Sequence, residues 1–301
     1  MLIHIGSRRS LSTWLQNNIF NKEDFFIIKN IQNKSRITKY FFNYDKIYNS
    51  LDDVKKDIET EIDTAKSQNK IPVITNEALE GDELNGNNAS LIADFLKVIS
   101  KENTKVLYII RNQNYKILSL YKKYIAKGGF CSLKTFMKSS ENLNSRYPYA
   151  FKKESLKYDK IVDYYSKLFG KENLLVLPYE MFVKTPDIFM EKILGLINKK
   201  EITFYNVNKK VNVQHFWINL HFYRVFNLIL GNPTTFEGII IQKLRNYSRS
   251  LCLRIFKIQF LNRYFNEKYL RMINLELNDY YNSSNEKTSK LININLNDYD
   301  Y

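Results

Sequence analysis

Short apolar bursts recur along this chain between longer amphipathic stretches, and that alternation limits the folds open to it more than any other feature. The first burst, Leu2-Ile3-His4-Ile5-Gly6, passes through a loop of hydroxyls and two arginines into the helical stretch Trp14-Leu15-Gln16-Asn17-Asn18-Ile19-Phe20. A second burst, "DFFIIKN", covers 24–30. Residues 51–68 set Leu51, Val54, Ile58, Ile62 and Ala65 at helical spacing with charges between them. "IPVIT" (71–75) reads as a strand ending at Asn76-Glu77, and "NNASLIADFLKVIS" as a helix with Asn88 or Ser90 as its cap. "KVLYIIR" (105–111) is the clearest buried strand and leads into the helix "NYKILSLYKKYIA". "NLLVLPYE" (173–180) is another strand, and "TPDIFMEKILGLI" a helix with Pro186 in its first turn. Strands alternating with helices predict an α/β fold, a central and mostly parallel sheet flanked by helices. Ligands of such sheets sit at the carboxyl ends of the strands, where the opening loop, Glu77 and Arg111 fall.

At 301 residues the chain can bury a large core. No linker marks a boundary, so one domain spanning 1–301 is expected, with a helical, basic and aromatic-rich cap at roughly 213–270. The formal net charge of +15 calls for an acidic partner: nucleic acid, anionic lipid or a polyanionic cofactor or substrate. A plain compositional bias toward Lys, Asn and Ile gives the same excess. Cys131 and Cys252 form neither a metal-ligand pattern nor a disulfide framework, which fits a reducing compartment. No leader or spanning segment is visible, and a cytoplasmic protein is expected, with peripheral contact at the inner face of a membrane as an option for the aromatic, basic stretch 216–265. Core packing and a stacking surface for sugar rings are the other readings of that stretch.

The loop "GSRRSLSTW" has the layout of an anion site, with hydroxyls and backbone N–H groups between a strand and a helix. It lacks the Gly-Lys pair of the nucleotide-hydrolase motif GxxxxGKS/T, which argues against an NTPase. Arg111 ends a strand and Ser119 follows eight residues on, a guanidinium and a hydroxyl suited to a second phosphate.

At this point the chain resembles a family. "HIGSRRSLSTWLQ" is similar to the 5′-phosphosulfate loop of the sulfotransferases that use 3′-phosphoadenosine 5′-phosphosulfate (PAPS), and "YIIRNQNYKILSLY" to their 3′-phosphate motif, in which an Arg is followed by a Ser eight residues later. "VITNEALEG" resembles the segment carrying an acidic residue near the acceptor. "LLVLPYEMFVKTPDIFMEKIL" resembles the common LxYExL segment, "KKVNVQ" the late loop over the nucleotide, and the tail ending "NDYDY" the close of many bacterial members. The likeness implies a P-loop-like α/β fold, PAPS as cofactor without a metal, and a glycan or surface-polysaccharide precursor as acceptor. No nucleic acid partner is expected.

By that resemblance the cofactor would be held by Arg8, Arg9, Ser10, Leu11, Ser12, Thr13, Trp14, Arg111, Ser119, Lys209, Lys210 and Asn212, with Arg9 and Glu77 catalytic. Two departures stand out. Arg8-Arg9 replaces the family's Pro-Lys, so a planar fork takes the place of an ammonium. Leu11 stands where the family has Gly or Ala. Trp14 also reads as a packing residue and Tyr179-Glu180 as mainly structural. His4 reads as a core or rim histidine, and His215 and His221 as members of the aromatic stretch. Two other readings remain: a relative weakened in catalysis that binds the nucleotide as a scaffold, and a basic nucleic-acid-binding protein.

Overall fold

The computed structural model describes residues 1–6, 10–29, 52–82, 84, 86–139, 151–199, 216–230 and 259–301. In chain order, β1 (Leu2–Ile5) precedes α1 (Ser12–Asn18) and β2 (Phe25–Ile27), and α2 (Asp52–Ser67) precedes β3 (Ile71–Asn76). A 3-10 turn (Glu77–Glu80) and α3 (Ala89–Ile99) lead to β4 (Lys105–Ile110), followed by α4 (Gln113–Ala126) and α5 (Leu133–Met137). Next come α6 (Tyr158–Phe169), β5 (Leu174–Pro178), α7 (Tyr179–Lys184) and α8 (Pro186–Leu196). The last elements are α9 (Trp217–Leu230), α10 (Gln259–Leu277) and α11 (Asn282–Ile292).

Every apolar burst becomes a strand of one five-stranded sheet in the order β2-β3-β1-β4-β5, and every neighbouring pair is parallel. β1 is central, with Leu2 opposite both Val73 and Lys105. Side chains alternate across it. Leu2, Val73, Leu107 and Ile109 pack with Trp14, Leu15, Phe182, Phe189 and Ile193, which places α1, α7 and α8 on one face. Ile3, Ile5, Ile74, Val106, Tyr108 and Ile110 pack with Ile58, Ile62, Ile92, Leu96 and Val162, which places α2, α3 and α6 on the other. Each such aliphatic side chain gains about 1.5–3 kcal/mol from full burial, so two-sided burial explains why β4 reads as an unbroken apolar run.

Several boundaries depart from the sequence reading. The first helix begins at Ser12 rather than Trp14, because Leu11 takes a left-handed conformation (φ 68°) and starts the turn early. The last strand stops at Pro178, and Tyr179 already opens α7. Asn88 does occupy the N-cap of α3, but with φ 64° and no side-chain cap; it serves the tight turn, not the helix donors. Pro186 sits in the first turn of α8, where its missing N–H costs nothing.

The chain divides into two compact units. The first comprises 1–112, 154–211 and 281–301 and holds the sheet. The second comprises 113–153 and 212–280 and includes the expected cap. Its described part is helical and centred on Trp217, which is fully buried. The Trp217 ring lies 4.3 Å from Tyr269 and 6.2 Å from Tyr121, and its indole N–H donates to Asn266 Oδ1 at 2.8 Å. Lys122 Nζ sits 4.8 Å from the same ring and donates to the same Asn266 oxygen. Asn227 of α9 donates to the carbonyls of Ile125 and Gly129, answering the open acceptors at the end of α4. No helix among the described residues is long and apolar enough to cross a membrane.

Candidate functional site

In the first unit the rim of the sheet at the carboxyl ends of β1, β3 and β4 carries part of the set that the sequence singled out: Ser10 to Trp14, Glu77 and Arg111. β1 and β3 are neighbours, yet α1 packs on one face and α3 on the other. Adjacent parallel strands whose helices leave to opposite sides open a crevice at their carboxyl ends. Gly6 lies at its floor, with its N–H on the carbonyl of Asn76 at 3.3 Å. A Cβ at Gly6 would come within 2.8 Å of Ser12 Oγ and 3.2 Å of the Asn76 backbone, so a side chain there would crowd the place where the two chain segments press together.

Above this floor the chain buries polar atoms that have no protein partner. Ser10 is 0% exposed and its hydroxyl makes no hydrogen bond. The Trp14 indole N–H and His4 Nε2 are likewise buried and unbonded. A buried polar group left without a partner costs roughly 1–3 kcal/mol, so three of them between residues 4 and 14 make this segment a candidate for a polar ligand. The indole N–H can only donate and the hydroxyl can donate, which suits the acceptor oxygens of a phosphate. Ser12 is buried and Thr13 half-buried at the start of α1. Trp14 itself packs its ring on Phe182 at 4.8 Å, so its bulk belongs to the core, as the packing reading of this residue has it.

His4 is the element that the sequence undervalued. Its Nδ1 lies 2.8 Å from Thr75 Oγ1, and Gln16 Nε2 donates to the same hydroxyl at 3.1 Å. The network ties β1, β3 and α1 together beneath the loop. Burial keeps the imidazole neutral, with its pKa lowered to about 3. The signal was present as a threonine in the otherwise apolar strand 71–75, but nothing local linked it to His4, 71 positions away.

Glu77 opens the 3-10 turn directly after β3. Asn76 caps that turn by accepting the Ala78 N–H at 2.8 Å, and this leaves the Glu77 carboxylate half-buried on the rim. Arg111, at the end of β4, lays its guanidinium 5.1 Å from the Tyr179 ring, and its carbonyl accepts the Tyr158 hydroxyl at 2.6 Å. The next residue is pinned as well. Glu180 accepts the Asn112 N–H (3.1 Å) on one oxygen and the hydroxyl of Tyr301 (3.0 Å) on the other, while Asn112 Nδ2 donates to the Asp300 carbonyl. Burial pushes the Glu180 carboxyl above its ordinary range, held back in part by those hydrogen bonds. Tyr179 and Glu180 are therefore structural, as read from the sequence, and the terminal Tyr301 is their unforeseen third partner.

Ser119, the expected partner of Arg111, is a half-buried residue of α4 and belongs to the second unit. Arg8, Arg9, Lys209, Lys210, Asn212 and His215 lie outside the described residues. His221 meets Phe265 edge-on at 4.7 Å and Trp217 at a tilt at 6.0 Å, and burial lowers its pKa; it is part of the aromatic centre of the second unit.

No family model matches the sequence, and no curated protein matches it. Among solved structures, the chain is similar to a sulfotransferase from Alicyclobacillus acidocaldarius, with a TM-score of 0.57 and 11% identity over 100% of this chain and 98% of that one. The likeness is one of fold: a parallel α/β sheet flanked by helices, similar to that of a sulfotransferase, with a helical C-terminal region.

Proposed function

We propose that the protein is a PAPS-dependent sulfotransferase acting on a hydroxyl of an acceptor, a glycan or surface-polysaccharide precursor. The observation that carries this reading is the pair of buried, unbonded groups that follow β1, the Ser10 hydroxyl and the Trp14 N–H, with a carboxylate, Glu77, directly after the neighbouring strand β3. Bound PAPS would supply an activated sulfuryl group on a nucleotide whose 5′-phosphate leaves with negative charge. In this reading Ser10, Ser12 and Thr13 donate to that phosphate, and Arg9 adds the cationic charge that the family's lysine provides. Loss of one such donor costs about 3 kcal/mol, roughly a hundredfold or more in rate. Arg111 and Ser119 hold the 3′-phosphate, with Lys209, Lys210 and Asn212 at the nucleotide. The Tyr179 face keeps the Arg111 guanidinium in one plane. Glu77 takes the proton from the acceptor hydroxyl as it attacks.

One observation favours a weaker relative that binds the nucleotide without efficient turnover. Leu11 is held at φ 68°, a conformation that glycine adopts without strain. Calorimetric titration with adenosine 3′,5′-bisphosphate against ADP tests the cofactor class. Tight binding of the bisphosphate, weak binding of ADP, and loss of the bisphosphate's advantage on Arg111→Ala with ADP binding little changed is the expected result. Equal or absent binding of the two nucleotides overturns it. Turnover then separates enzyme from scaffold: Glu77→Gln should lower transfer at least a hundredfold with bisphosphate affinity unchanged, roughly the scale of a general base.

A further inference from the structure

The charge of this protein is divided unevenly. The first unit carries 28 Lys and Arg against 26 Asp and Glu, whereas the second carries 18 against 5. Almost the whole net charge therefore sits on the smaller unit. Apolar exposure is divided in the same way. Of the fourteen large apolar side chains exposed among the described residues, ten belong to the second unit.

The exposed side chains follow helical geometry. On α9, Trp217, Leu220, Tyr223 and Asn227 are buried, yet the opposite side presents Val225, Phe226, Leu228 and Ile229 to solvent, Ile229 at 74%. A helix that is apolar on both sides has more to cover than the described residues of its unit cover. On α10, Phe260 (77%) and Leu275 (83%) stand out beside the exposed Arg263 and Arg271, two cations that share the single carboxylate of Glu267 and so leave a local positive excess.

We infer that the second unit docks on an anionic lipid surface, with the exposed face of α9 entering the headgroup–acyl boundary and the surrounding cations meeting the lipid phosphates. Two features select this occupant. Aliphatic side chains such as Val225, Leu228 and Ile229 offer nothing to a nucleic acid, which would answer the charge but leave them wet. A second copy of the chain would cover them only by setting one strongly basic unit against another, which the same charge opposes. An anionic bilayer answers both, since apolar burial and attraction to acidic headgroups add in interfacial binding. The inference stands apart from the sulfotransferase reading, because docking needs no nucleotide.

Vesicle flotation of the whole protein tests it. Vesicles of phosphatidylcholine with phosphatidylglycerol should carry the protein up the gradient, and phosphatidylcholine alone should carry little. Raising salt from 0.1 M to 1 M, where the Debye length falls from about 10 Å to about 3 Å, should release most of it. The variant Val225→Glu/Ile229→Glu, changed only at exposed positions, should bind anionic vesicles roughly tenfold more weakly with an unchanged circular dichroism spectrum. The milder Leu228→Ser/Ile229→Ser serves if the first fails to fold. Absence of flotation with anionic vesicles overturns the inference, as does equal flotation of wild type and variants. A salt-stable dimer that hides Ile229 from labelling without lipid, or tight polynucleotide binding with no vesicle binding, assigns the face to another occupant and overturns it too.

Discussion

Both units bury polar atoms without partners, the Ser10 hydroxyl, the Trp14 N–H and His4 Nε2 in the sheet-bearing unit and Asn219 Nδ2, Asn219 Oδ1 and His221 Nε2 in the helical one. In the helical unit the most prominent uncovered groups are apolar and exposed, Ile229 and Leu275 foremost. What sets the helical unit apart is its exposed apolar surface, ten of the fourteen large apolar side chains exposed among the described residues. The two also hold themselves together differently. Aliphatic side chains on both faces of parallel strands fill the first, while aromatic rings around Trp217 and asparagine hydrogen bonds to backbone carbonyls anchor the second. A net charge quoted for the whole chain hides this division, because only one of the two units is strongly basic.

The contrast in packing is the easiest to break. Trp217→Ala removes the ring on which Tyr121, Tyr269 and Lys122 converge and should cost about 3–5 kcal/mol in urea unfolding. A loss below about 1 kcal/mol would mean that the aromatic centre does not hold the helical unit. The sheet unit has a pH signature instead. The unfolded chain takes a proton on His4 near pH 6.5, whereas the folded imidazole stays neutral down to about 3. The unfolded state thus binds more protons across that window. The stability due to neutral His4 is complete above 6.5 and is lost as pH falls, with a slope of at most about 1.4 kcal/mol per pH unit. His4→Gln should flatten that slope in melts between pH 4 and 6.5; an unchanged slope would place the titration elsewhere.

What could be read from the sequence follows the same division. β4 was legible because burial on both faces leaves "VLYII" without a polar interruption, and α8 because Pro186 announces its first turn. Gly6, Glu77 and Arg111 were legible as rim residues for a related reason: each directly follows an apolar burst, and parallel sheets put those ends together. Of the helical unit, the helical and aromatic character of its later part was legible from about 213 on, but its union with 113–153 was not. Only two residues separate β4 from α4, with no glycine or proline between them, so no local signal marks the change of unit. Its centre forms when Trp217 meets Tyr121, 96 positions earlier, and periodicity carries no information at that range. The hydrogen bond from Tyr301 to Glu180, like the His4–Thr75 pair, escaped for the same reason.

Two smaller effects sharpen the account of the rim. Gly6→Ala sets a methyl 2.8 Å from Ser12 Oγ and 3.2 Å from the Asn76 backbone. The expected cost is about 1–3 kcal/mol, accompanied by weaker adenosine bisphosphate binding in calorimetry. Full affinity in the variant would mean that the loop does not need the close approach.

The smallest effect is a reversal of order at Leu11. Its side chain packs against the core under α1, but its backbone sits at φ 68°. Glycine would forfeit that packing while relieving strain of roughly 1–2 kcal/mol, so Leu11→Gly should lie within about 1 kcal/mol of wild type. Valine keeps an apolar side chain, but its β-branch crowds a left-handed backbone further, so Leu11→Val should be the less stable variant by about 1 kcal/mol. Thermal melts of the two decide the point. If valine is the better tolerated, packing governs Leu11, and the left-handed turn is too soft to restrict what the loop can hold. If glycine is, the turn governs, and Leu11→Gly is the variant in which a gain of nucleotide affinity or turnover should be sought.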